Sequence, residues 1–115
     1  MDKDFETAFD LSNLMMVISQ QKKMLKEEFE ISSLYFYNGG TFKVTQELIS
    51  FVLTLKTLHQ STAVLIDNNH LPIFIDNINI FLDNILHQYT QASNKFLTDY
   101  KALQNNRNIT SILAV

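Results

Sequence analysis

The residues of this chain that are able to do chemistry are few: His59, His70 and His87, the carboxylates Asp67, Asp76 and Asp83, and scattered serines. A helical zinc site needs two nitrogen ligands three or four residues apart on one face, and none of these histidines has another at that spacing. His70 is expected in a solvent-facing turn, with His59 and His87 near helix surfaces. General acid–base work needs two carboxylates in a cleft with their pKa values driven apart. Asp67 and Asp76 flank one segment and could meet across its open end, yet turn formation and helix capping already account for both. No serine stands in a Gly-x-Ser-x-Gly elbow, and Gly39-Gly40 lacks the Walker spacing and its Lys-Ser/Thr pair. These patterns assign no catalytic, cofactor-binding or metal-ligating residue and no cofactor, so the chain reads as a non-enzyme.

The elements that would position such residues are mostly helical. Apolar residues at Leu11, Leu14, Met15, Ile18, Leu25 and Phe29 keep the three-and-four spacing of a helix face, with Asp10 or Ser12 as its cap after a polar arm over residues 1–10. The stretch Ile31–Tyr37 is ambiguous. It continues the helix to Tyr37, or its part Leu34–Tyr37 forms a hairpin with Thr41–Val44 around Asn38-Gly39; the helix is the preferred reading. Thr45 then caps a helix to about His59, with Val44 stapled against Ile49. Leu48, Ile49, Phe51, Val52, Leu53, Leu55 and Leu58 surround this helix, which marks it as a central core element.

Around Asn68-Asn69-His70, two short β-rich runs within Ala63–Asp76 predict a hairpin whose alternating faces suggest burial on both sides. Pro72, the only proline, is confined by its missing N–H to an edge or a strand start. Asp76 reads as the cap of a long last helix, with Ile75 stapled against Ile80. Its stripe of Ile78, Leu82, Ile85, Leu86, Tyr89, Ala92, Phe96, Tyr100 and Leu103 runs until Asn105-Asn106-Arg107-Asn108 stops it, leaving a tail over residues 105–115. The class expected is mainly α (α+β): one domain of helices packed around one β-hairpin, with a long C-terminal amphipathic helix.

Composition limits the partners. With 46% apolar and 18% charged residues in 115, the chain has the makeup of a folded domain rather than of a disordered one. A net charge of −3 gives no electrostatic reason for nucleic acid binding, and Lys22, Lys23 and Lys26 are followed at once by Glu27, Glu28 and Glu30, which suits i,i+4 pairs such as Lys23–Glu27. A winged-helix reading, with the helix Thr45–His59 as recognition helix and Asn68–His70 as wing tip, makes a DNA-binding transcriptional regulator the alternative; Lys56 is that helix's one cation. There is no cysteine, no apolar run of membrane-span length and an acidic N-terminus, so a cytoplasmic protein with no membrane association is expected. Asn108-Ile109-Thr110 matches a glycosylation sequon and is taken as a chance match.

The strings NGGTFKVTQELISFV, AVLIDNNHLPIFID and YTQASNKFLTDYKAL together resemble small accessory proteins of tailed marine phages, over Asn38–Leu103. The resemblance implies an assembly or host-interaction role, in the host cytoplasm or the virion, and implies no site residues. The residues themselves point to protein–protein interaction through self-association. A final helix of some 40 Å would outrun a small core, so Tyr89, Phe96, Tyr100 and Leu103 are expected to form a homodimer interface.

Overall fold

The computed structural model describes the backbone over residues 2–114 and side chains over residues 10–105. Its elements in order are α1 (Asp2–Ser32), β1 (Leu34–Tyr37), β2 (Gly40–Lys43), α2 (Gln46–Thr57), β3 (Ala63–Ile66), β4 (Pro72–Ile75) and α3 (Ile78–Ala114). The fold is mainly α with added β structure and a long C-terminal helix, as the hydrophobic periodicity predicts. It carries two hairpins where one was expected, each an antiparallel two-stranded sheet.

The additional hairpin is the alternative reading of Leu34–Tyr37. Asn38 and Gly39 both take positive φ, 48° and 78°, and Tyr37 pairs with Gly40, so the loop has two residues of the kind whose twist matches paired strands. Helix α1 accordingly stops at Ser32 rather than at Tyr37. Ser33 at the junction is buried; its hydroxyl donates to the Phe29 carbonyl at 2.7 Å, and its own carbonyl accepts from Val44 N–H at 2.8 Å.

Contacts sort the chain into two compact units, Phe29–Asn94 and the pair of segments Met1–Glu28 with Lys95–Val115. In the first unit, Phe42, Val44, Val52, Leu65, Ile73, Ile75, Ile78, Phe81, Leu82 and Ile85 form the core. Phe81 is its hub: the rings of Tyr35, Tyr37 and Phe42 meet it edge to face, with centroids 5.6, 5.5 and 5.3 Å away. Thr45 caps α2 as expected, its hydroxyl accepting from Leu48 N–H at 3.1 Å, and Val44 is buried with Ile49 packed on the same cluster.

Helix α2 is not the enclosed core helix expected from its composition. Only Val52 is buried, with Leu48, Ile49 and Leu55 partly so, while Phe51, Leu53 and Leu58 are exposed. One face suffices to dock it, and the remaining leucines keep helical propensity without being covered. Asp76 does not cap α3. Asn77 does, accepting from Ile80 N–H at 3.1 Å, and Ile80 is exposed rather than stapled to Ile75.

The second unit consists of helix segments. Leu14, Ile18 and Leu25 of α1 are half-buried, as are Phe96 and Tyr100 of α3, and Leu103 is buried. Lys95 lies 3.5 Å from Glu28 and 3.2 Å from Asp99. The Lys23–Glu27 pair is not among the ion pairs formed by the described residues; both side chains are exposed, where hydration competes well with pairing. Helical backbone extends through residues 2–10 and 105–114, the stretches read from sequence as arm and tail, so neither Asp10 nor Ser12 is a cap. Asparagine costs a helix only a few tenths of a kcal/mol relative to its neighbours, about 0.7 kcal/mol at most, too little to stop one already propagating. Whether the side chains of Ile109–Val115 dock lies outside the described residues.

Candidate functional site

The two carboxylates singled out from sequence do not converge. Asp67 follows β3 at the turn end of the second hairpin, whereas Asp76 follows β4 at its open end. Asp67 is buried and spent on backbone: Oδ2 accepts from Thr41 N–H at 3.0 Å, and Oδ1 accepts from Asn69 N–H at 3.0 Å and Leu71 N–H at 2.9 Å. These bonds, that from Thr41 first, hold its carboxyl below the ordinary 3.8 against the opposing effect of burial. A carboxylate so committed is a structural clamp. It joins the two hairpins together with the bond from Asn68 N–H to the Thr41 carbonyl at 2.7 Å.

Asp76 instead accepts the hydroxyl proton of Tyr37 through Oδ1, which pushes the phenol above its ordinary 10.0 because ionisation would lose that bond and set two negative charges together. His70 is exposed in the turn, at a φ of 63°, His59 is exposed just past α2, and His87 is exposed on α3. Asp83 is exposed as well. No group of three His, Cys, Asp or Glu able to hold a metal ion occurs among the described residues.

A recess with polar side chains lies at the start of α2, lined by residues including Lys43, Gln46, Glu47, Ser33 and Tyr89. Its amide and phenol are already bonded to each other, Gln46 Nε2 donating to Tyr89 Oη at 3.0 Å, and Ser33 is bonded to the Phe29 carbonyl. Lys43 and Glu47 carry opposite charges, and the two are not bonded to each other. Nothing in this recess forms a nucleophile–base or acid–base pair. The exposed positions of α2 carry one cation, Lys56, and one anion, Glu47, and so give no electrostatic support to a recognition helix.

Among the residues expected at a dimer interface, Tyr89 packs edge to face on Phe29 with centroids 6.5 Å apart, Phe96 and Tyr100 are half-buried, and Leu103 is buried beside a groove lined by Met24, Leu25 and Ala102. Along the same stripe Leu86 is 41% exposed, and Tyr89, Phe96 and Tyr100 are only half-buried.

A different surface is uncovered. On the second hairpin, Leu65, Ile73 and Ile75 face the core, while Val64, Ile66 and Phe74 are 60%, 60% and 54% exposed. Val64 pairs across the sheet with Phe74 and Ile66 with Pro72, so the four form one outer face without a charge. The expectation of burial on both sides is thus half met. Both parities of these strands are apolar in the sequence, and period-two reading cannot say which lies inside or that one stays outside. The loop of this hairpin is a tight turn with His70 N–H bonded to the Asp67 carbonyl at 3.1 Å, followed by His70 in the left-handed region.

No family model, curated protein or solved structure matches the chain. None of the helices in the described residues is long and apolar enough to cross a membrane.

Proposed function

We propose that this chain is a non-enzymatic protein–protein interaction or assembly protein that works through self-association. The observation that carries this reading is the uncharged outer face of β3 and β4. Leaving valine, isoleucine and phenylalanine together on one uncharged, exposed face is costly unless something covers them. The titratable groups favour the same reading, because Asp67 and Asp76 are engaged with backbone and Tyr37. The resemblance to accessory proteins of tailed phages is compatible with it, as a role in virion assembly or host contact.

Sedimentation velocity and light scattering across micromolar to millimolar concentrations test the reading. Self-association predicts a mass rising from 13.3 kDa towards twice that value. A chain that stays monomeric throughout, or one that instead binds duplex DNA with steep salt dependence, overturns it.

A further inference from the structure

We infer that two copies of this chain pair through the outer edge of β3, antiparallel about a two-fold axis at Leu65. The inference rests on the self-association reading above and names its surface. In an antiparallel pair, hydrogen-bonded and non-bonded positions alternate, and residues at the non-bonded positions point N–H and C=O outward. Asp67 N–H donates to the Leu71 carbonyl at 2.9 Å, which makes Leu65–Ile73 and Ala63–Ile75 the bonded pairs of this ladder. Val64 and Ile66 therefore direct their backbone groups away from β4.

The other strands offer less. On β4, Pro72 has no N–H and the Phe74 carbonyl is taken by Asn38 Nδ2 at 3.1 Å. On β2, Thr41 is engaged on both sides, by Asp67 and by Asn68. On β1, the Leu34 carbonyl accepts from Gln88 Nε2 at 3.0 Å. Strand β3 alone has two successive outward residues, Val64 and Ile66, whose backbone groups are engaged by nothing among the described residues.

A second copy fits this edge. With the axis at Leu65, Val64 of each copy meets Ile66 of the other and all four outward groups on each strand are satisfied within β3, whereas an axis at Val64 sets Ile66 against Thr62 outside the strand and one at Ile66 sets Val64 against Asn68, whose N–H already bonds to the Thr41 carbonyl. Strands Ala63–Ile66 and Pro72–Ile75 contain no ionisable residue, so two chains of net charge −3 meet along a strip where no charge is desolvated and no like charges oppose. The edge also lacks the lysine, proline or bulge by which sheet edges are commonly blunted. Pairing joins the outer faces into one four-stranded surface with Val64 beside the partner copy's Ile66. Such short strands bury less than a standard interface, so the dimer is a weak one that fills in towards millimolar concentration.

The absence of cysteine from the chain makes the register directly testable. Bonded cross-strand residues sit about 5.5 Å apart at Cα, within disulfide reach. Val64→Cys and Ile66→Cys chains, mixed and mildly oxidised, should cross-link to each other several-fold more than either does alone. Separately, Val64→Lys and Ile66→Lys should each weaken dimerisation by about tenfold or more by sedimentation while keeping the parent's circular dichroism, since both side chains point outward. Equal cross-linking in all three samples, or lysine variants that dimerise like the parent, overturns the β3 assignment and leaves self-association standing. A parent chain that remains monomeric overturns both.

Discussion

Ile73 lies directly over Gly40: a β-carbon at position 40 would meet Ile73 Cγ1 at 2.5 Å and Cδ1 at 2.8 Å. The first hairpin thus gives up a side chain so that the second can pack on its backbone. Gly40→Ala should therefore destabilise by about 1–3 kcal/mol through overpacking, although alanine suits an extended strand better than glycine does. Truncating the neighbour identifies the cause. Ile73→Ala alone should cost about 2–5 kcal/mol, and Gly40→Ala with Ile73→Ala should cost less than the sum by about 1 kcal/mol or more in urea unfolding. Strict additivity would mean that the two hairpins do not touch there.

Acid should loosen the same junction. The Asp67 carboxyl is held below 3.8 by the N–H groups of Thr41, Leu71 and Asn69, so its ionised form is bound more strongly folded than unfolded. With the folded pKa depressed, that stabilisation is complete above the unfolded value and is lost as pH falls below it towards the folded one. Thermal unfolding between neutral pH and about pH 2 should show the loss beginning near the ordinary carboxylate range. Asp67→Asn, which presents an NH₂ where an acceptor is needed, should melt lower at neutral pH and lose less on acidification. An unchanged acid response in that variant would remove Asp67 from this role.

Much of this arrangement is legible in the residues. Thr45 ahead of an apolar helix, Asn38-Gly39 between aromatic strands and Asp67 at a turn each act through local geometry, so the sequence carries the signal by itself. Leu34–Tyr37 misleads because its aromatic residues satisfy helical spacing from Phe29 as well as strand alternation, and the choice is made by Phe81, a residue far along the chain that takes the rings of Tyr35 and Tyr37. Asp76 and Asn77 are adjacent possible caps, and the phenol of Tyr37 claims the first. The outer face of Val64, Ile66 and Phe74 is not legible in the sequence for a different reason. Sequence shows that a residue is apolar, and only the packed fold shows which apolar residues are left without cover.

Helix α2 ends with His59 in the left-handed region at a φ of 61°, its N–H bonded to the Lys56 carbonyl and that of Gln60 to the Leu55 carbonyl, each at 3.0 Å. This is the two-bond closure in which glycine is the usual residue, and a β-branched or imidazole side chain is strained. His59 is exposed and bonded through no side-chain atom among the described residues. His59→Gly should then stabilise the fold by about 0.5–1 kcal/mol in denaturant unfolding, with little change in helicity. Destabilisation would show that the imidazole contributes more than its backbone strain removes.

The Tyr37–Asp76 pair responds at the alkaline end. Its phenol is raised above 10.0 by the hydrogen bond to Asp76, with burial and the nearby negative charge adding to it. Because the folded pKa exceeds the unfolded one, the stabilisation is complete below the ordinary tyrosine value and disappears as pH rises through the raised value. Tyrosinate absorbance should resolve one of the four tyrosines as late to ionise. Asp76→Asn keeps an acceptor oxygen but removes the charge, so it should bring that tyrosine back towards its ordinary value. Asp76→Ala should also detach the Tyr37 hydroxyl, and because Tyr37 stacks on Tyr35 and meets Phe81, it should lower the melting temperature as well. Four tyrosines that ionise together in the parent chain would show that the bond does not persist in solution.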